Sequence, residues 1–103
     1  MTRIYLSGPI TGHEDYIKNF NKAAEEVQAS FNGAEIINPA NLRFVMPPSS
    51  TWKEYMRICH ELLDMADVIY MLPGWSESKG ACIEYGYALA KDITIILAKK
   101  EGD

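Results

Sequence analysis

The chain has 103 residues, 48% hydrophobic and 23% charged, the balance of one globular domain spanning residues 1–103 with a modest core. Its net charge of −4 and pI near 5.1 argue against DNA or RNA as a partner, and no apolar run is long enough to span a membrane or sits in a cleavable leader pattern. Cys59 and Cys82 fit no metal or redox spacing and only His13 and His60 stand beside them, so a reducing cytoplasm is expected, with no structural metal and no cofactor.

In chain order, Arg3-Ile-Tyr-Leu-Ser7 reads as a first strand, stopped by Gly8-Pro9. Ile10 to Asp15 is a loop with Gly12 as a flexible point and Asp15 as a helix cap. Tyr16, Phe20, Ala24, Val27 and Phe31 recur at helical spacing, and Asn32-Gly33 stops that helix. Ala34 to Asn38 is a second short strand closed by Pro39. Residues 39–51, with Pro47-Pro48-Ser49-Ser50, form the longest irregular segment, of a length that is usually functional or mobile.

Thr51-Trp-Lys-Glu54 is a capping box, and the helix it opens carries Tyr55, Met56, Cys59, Leu62, Leu63 and Ala66 on one face. That apolar helix over a small sheet leaves surface to bury, so a homo-oligomer is expected. Val68 to Leu72 is a third strand ending at Pro73-Gly74, a helix follows from about 79 to 91, Ile93 to Leu97 is a fourth strand, and Lys99 to Asp103 is a polar tail. The alternation predicts an α/β fold with a parallel sheet, helices on both faces and right-handed crossovers.

Ligands of such sheets bind at the carboxyl ends of the strands. That rule puts Glu84, Glu77, Glu14 and Asp15 at the ligand end and Asp64 and Asp67 at the other, where helix termination and turn formation are their expected roles. The Gly8-Pro9-Ile10-Thr11-Gly12 loop has neither the G-x-G-x-x-G spacing nor a Walker lysine; Gly8 serves there as readily for the turn as for a ligand. In the last unit Ser78 is placed to cap a helix whose amides would hold an anion near Gly80, and Glu84 lies one turn further on the same face. An acidic residue early in a helix is also explained by the helix dipole alone. Trp75, in a loop without apolar periodicity, is expected as a stacking platform for a flat base.

Tyr5, Gly8, Ile10 and Gly12 in the first strand and loop, with Ser78, Gly80, Glu84, Gly86 and Ala88 in the last unit, resemble the nucleoside 2-deoxyribosyltransferase-like superfamily, which includes the 2'-deoxynucleoside 5'-phosphate N-hydrolases. Leu72-Pro-Gly-Trp75 and Ser78-Lys-Gly-Ala81 are most similar to a short, little-characterised branch from bacteria and phages. The resemblance covers nearly the whole chain and implies a Rossmann- or flavodoxin-like three-layer sandwich with strand order 2-1-3-4. It implies N-glycosidic cleavage or transfer on a small nucleoside or nucleoside 5'-monophosphate. Glu84 would be the nucleophile and Tyr5 would hold it. Gly8, Ile10, Gly12, Trp75, Ser78 and Gly80 would contact the ligand, with Ser78 and the helix amides on its 5'-phosphate or 5'-hydroxyl.

Two departures accompany the resemblance. Cys59 stands where such proteins usually carry an aspartate that protonates the leaving base or contacts the sugar, and His60 points about 100° away around the helix. Members that complete the site from a neighbouring subunit draw that residue from beyond the last position of this sequence. A nucleotide-binding module without efficient chemistry is the alternative the thiol raises.

Overall fold

The computed structural model describes residues 1–99, so most of the expected polar tail lies outside the described residues. Four strands, β1 (Arg3–Ser7), β2 (Glu35–Ile37), β3 (Val68–Met71) and β4 (Thr94–Leu97), form one sheet in the order β2-β1-β3-β4. All pairings are parallel: Ile4 aligns with Ile36 and Val68, and Ile69 with Ile95. Three helices connect them, α1 (Tyr16–Ser30), α2 (Trp52–Asp64) and α3 (Lys79–Ala90).

The strand period of two divides the core. Ile4 and Leu6 of β1 point to one face and pack with Phe20, Ala23 and Val27 of α1. Tyr5 points to the other, where Cys59 and Leu63 of α2, Ala81 and Ala88 of α3, and Ile69 and Met71 of β3 close around it. The result is the expected three-layer α/β fold. Central β1 is buried along four of its five residues, since both of its neighbours and both helical layers cover it.

The helix starts differ in mechanism. The Thr51 hydroxyl accepts from the Glu54 amide and the Glu54 carboxylate accepts from the Thr51 amide, the reciprocal box read from the sequence. Asp15 does not cap α1 with its side chain. Its backbone, at φ −92° and ψ 15°, is not extended as such a cap requires. Phe31 follows α1 as its cap residue and is 36% exposed, and Ala23 rather than Ala24 is the buried alanine. The segment after β2 is partly regular, with a 3-10 helix over Pro39–Phe44 that the Asn38 side chain caps.

Candidate functional site

The strand order places a switch point between β1 and β3, where the connections leave for opposite faces of the sheet. A cleft of about 630 Å3 opens there, within the range of small-molecule sites. It is walled by the end of β1 and the turn after it, by the first turns of α1, α2 and α3, and by Pro39.

Glu84 forms its floor. The residue is 7% exposed, and each of its carboxylate oxygens has its own donor from β1. The Tyr5 hydroxyl donates to Oε2 at 2.6 Å and the Ser7 hydroxyl to Oε1 at 2.7 Å. Burial raises the Glu84 carboxyl above the usual carboxylate range; the bonds from Tyr5 and Ser7, and then the charge of His60, oppose that rise. Burial first, and then the Glu84 charge, push the Tyr5 phenol well above the usual tyrosine range, so it remains a donor at any working pH. Ser7 is a site residue that the sequence reading missed. Its signal was position: two residues after Tyr5 in one strand, it had to face the same side.

Cys59 lies in the same cluster. Burial pushes its thiol up to about 11, with the Glu84 charge adding to the rise and the Tyr5 hydroxyl opposing it. The thiol is therefore protonated at neutral pH. His60, one residue on, is exposed and meets the Tyr87 ring edge-on at 4.2 Å, away from the cleft.

At the anion end, the Ser78 hydroxyl accepts from the Ala81 amide and caps α3, while Lys79 and Gly80 supply first-turn amides that have no partner within the helix. Ser78, Gly80, Gly8 and Ile10 all line the cleft. Gly8 also has a packing role, because a Cβ there would stand 2.7 Å from Cβ of Leu72.

Gly12 and Trp75 are not brought to the cleft. Gly12 sits in an exposed turn at φ +79°. Trp75 stacks on Tyr85 at 4.6 Å and 21° and packs against the core under α3, so the expected platform position is corrected. Besides Tyr5, the aromatic side chains lining the cleft are instead Trp52 and Tyr55 from α2, with Tyr16 and Phe20 from α1, and the Lys79 ammonium lies 5.1 Å from the Trp52 ring centroid. A signal was present here too: positions 52, 55 and 59 share one helical face, and a helix that follows β2 begins at the ligand end. Of the other acidic residues expected at this end, Glu77 lines the cleft and Glu14 and Asp15 do not. Asp64 and Asp67 lie away from it, accepting from the Tyr87 hydroxyl and the Arg3 amide. Among the described residues, no group of three or more His, Cys, Asp or Glu side chains is placed to hold a metal ion, and no helix is long and apolar enough to cross a membrane.

The model of the DUF4406 family, a domain of unknown function, matches residues 2–97. The chain belongs to the DUF4406 family. No curated protein is significantly similar to it in sequence. Among solved structures, this DUF4406 chain resembles a conserved protein from Enterococcus faecalis V583, with a TM-score of 0.80 and 20% identity, covering 99% of this chain and 65% of that one. It also resembles a 2-deoxyribosyltransferase from the psychrotolerant bacterium Bacillus psychrosaccharolyticus, with a TM-score of 0.76 and 17% identity over 99% and 75% of the two chains. A 2-desoxiribosyltransferase from Leishmania mexicana follows at a TM-score of 0.65 and 18% identity, over 94% and 63%. The chain thus spans just under two thirds of the Enterococcus and Leishmania proteins. At these identities the likeness is one of fold: the DUF4406 domain has the nucleoside 2-deoxyribosyltransferase-like fold.

Proposed function

We propose that this DUF4406 domain cleaves or transfers the N-glycosidic bond of a nucleoside or nucleoside 5'-monophosphate, with Glu84 as nucleophile. The observation that carries the reading is the buried Glu84 carboxylate at the cleft floor, with one hydroxyl donor on each oxygen. An oxocarbenium-like transition state favours a negative charge fixed beneath the sugar ring. The likeness to two deoxyribosyltransferases supports the same chemistry.

In this reading a Glu84 oxygen bonds to the anomeric carbon as the carbon–nitrogen bond breaks. The electron pair leaves with the base, which takes its proton from water. The resulting glycosyl ester is opened at the anomeric carbon by water, which gives the free sugar, or by the nitrogen of a second base, which gives a new nucleoside. Tyr5 and Ser7 orient the carboxylate. The Lys79 and Gly80 amides and the Ser78 hydroxyl receive the 5' end of the ligand. The base stacks on Trp52 and Tyr55.

A second reading, a nucleotide-binding module, is favoured by one observation. A Cys59 thiol that titrates near 11 is a weak proton donor at neutral pH, where an aspartate is usual in the resembled superfamily. One set of measurements separates the two readings. Free base is measured by liquid chromatography after incubation with each nucleoside and monophosphate, and binding by calorimetry. Glu84→Gln is expected to bind and release nothing, while Cys59→Asp is expected to release base faster and to add a falling limb on the alkaline side of the pH profile. Trp52→Ala is expected to weaken binding by about 1–3 kcal/mol, and Trp75→Ala to leave it unchanged. If Glu84→Gln cleaves like the wild type, the nucleophile assignment is wrong. If wild type and Cys59→Asp both bind and release nothing, the binding-module reading replaces it.

A further inference from the structure

The floor of the cleft holds a buried carboxylate with no acid beside it that is suited to protonating a departing base. The Tyr5 hydroxyl commits its proton to Oε2 of Glu84 at 2.6 Å, and the Ser7 hydroxyl commits its own to Oε1 at 2.7 Å. Cys59 packs in the same buried cluster as Tyr5, and burial pushes its thiol up to about 11. His13 and Glu77 also line the cleft, but both are exposed, so water competes with any base for their protons.

That arrangement sorts leaving groups. A neutral purine or pyrimidine departs as an anion unless a proton reaches it as the carbon–nitrogen bond breaks, and a general acid contributes about 10²–10⁴-fold to such a step. A base with a fixed positive charge needs no proton, because the electron pair of the breaking bond cancels the charge.

The walls are the second observation. Trp52, Tyr55 and Tyr16 line the cleft, and the faces of such rings attract cations. Trp52 already has one at hand, the Lys79 ammonium at 5.1 Å from its ring centroid. Lys79 is exposed, so the ring cation of a ligand can take that place.

Resting on the N-glycosidic reading, we propose that this cleft takes nucleosides or nucleoside 5'-monophosphates whose base carries a fixed positive charge, N-glycosylpyridinium or N7-alkylpurine compounds. A Glu84 oxygen bonds to the anomeric carbon, the carbon–nitrogen bond breaks, and its electron pair turns the cationic ring into a neutral base. No proton moves in this step. Water then attacks the anomeric carbon of the glycosyl ester, the ester oxygen leaves with its electron pair as the Glu84 carboxylate, and the proton of the water passes to solvent.

The test compares matched substrates on the whole chain at neutral pH, with free base measured by liquid chromatography. N7-methylguanosine is set against guanosine and nicotinamide riboside against uridine, each also with 2-deoxyribose and as the 5'-monophosphate. Wild-type kcat/KM is expected to be at least about 100-fold higher for a cationic member than for its neutral partner, and Glu84→Gln to release no base from either above the enzyme-free rate. Cleavage of only one of the two cationic members supports the proposal and names the ring the cleft takes. Cys59→Asp, checked for folding by circular dichroism, supplies an acid that helps neutral bases alone, so it is expected to narrow the ratio at least about tenfold. A wild-type ratio below about 100-fold overturns the proposal, and the N-glycosidic reading then stands if Glu84→Gln still abolishes release. No release from any substrate overturns both. A ratio unchanged in folded Cys59→Asp overturns the missing acid as its cause; where that variant does not fold, the wild-type ratio decides alone.

Discussion

Replacing Tyr5 by phenylalanine probes the Glu84 carboxylate at its most buried point. The residue is 1% exposed, so phenylalanine refills the same space and only the hydroxyl is lost. That hydroxyl donates to Glu84 at 2.6 Å. A hydrogen bond to a charged group contributes about 1.5–3 kcal/mol. A domain of this size changes its melting temperature by about 4–8 °C per kcal/mol. Tyr5→Phe is therefore expected to lower Tm by roughly 6–24 °C at neutral pH.

The pH dependence fixes the cause. Burial lifts the Glu84 carboxyl above its unfolded value, so stability falls as pH rises through the window between the unfolded and folded pKa. The Tyr5 bond limits that lift. Without it the folded pKa moves higher, the window widens upward, and the loss continues to higher pH. The two proteins should then differ least in acid, where Glu84 is protonated in both, and most above the variant's folded pKa. Urea denaturation at a series of pH values measures the difference. A gap that does not change with pH would refute the link to the Glu84 charge, and no gap at any pH would refute the hydrogen bond itself.

Two shorter predictions concern neighbouring positions. Gly8→Ala puts a Cβ 2.7 Å from Cβ of Leu72, which is 2% exposed, and is expected to cost about 1–3 kcal/mol in urea denaturation; unchanged stability would mean that the turn after β1 can shift freely. With iodoacetamide at mildly alkaline pH, the folded protein is expected to take one adduct, on exposed Cys82, because Cys59 is buried and protonated; the unfolded chain takes two, and two adducts on the folded chain would contradict the placement of Cys59.

The fold was legible because each level of signal agreed. Strand runs at 3–7 and 68–72, the Thr51 box and the Asn32-Gly33 stop all mark elements that formed near those limits. The errors lie where a single residue depends on backbone angle or on distant packing. Asp15 has the chemistry of a cap but not the extended backbone, and Phe31 kept the helical period after the helix had ended. Within the site, Tyr5 and Glu84 were singled out and Ser7 was not, although the strand period that buries Tyr5 also brings in Ser7. Trp75 lacked a periodic partner in sequence because its partner, Tyr85, comes from the helix after the turn. Of the aromatic wall, Tyr55 was read only as part of a core face, since a stripe that lines a cleft and one that fills a core have the same spacing, and Trp52 only as a position within the capping box.

The division of labour along β1 constrains how such a site can change over time. Ile4 and Leu6 belong to one core, while Tyr5 and Ser7 hold the carboxylate on the opposite face, and a slip of one register position would exchange the two sets. Mutation therefore has little freedom on this strand: almost any change that alters the chemistry also threatens folding. The opposite wall is freer. Trp52, Tyr55 and Cys59 reach the cleft from one face of α2, a helix started by its own Thr51–Glu54 box. Under the proposed function, substitutions at those three positions reshape ligand preference while leaving the sheet intact, so diversification of substrate is expected to be written on α2 and not on β1.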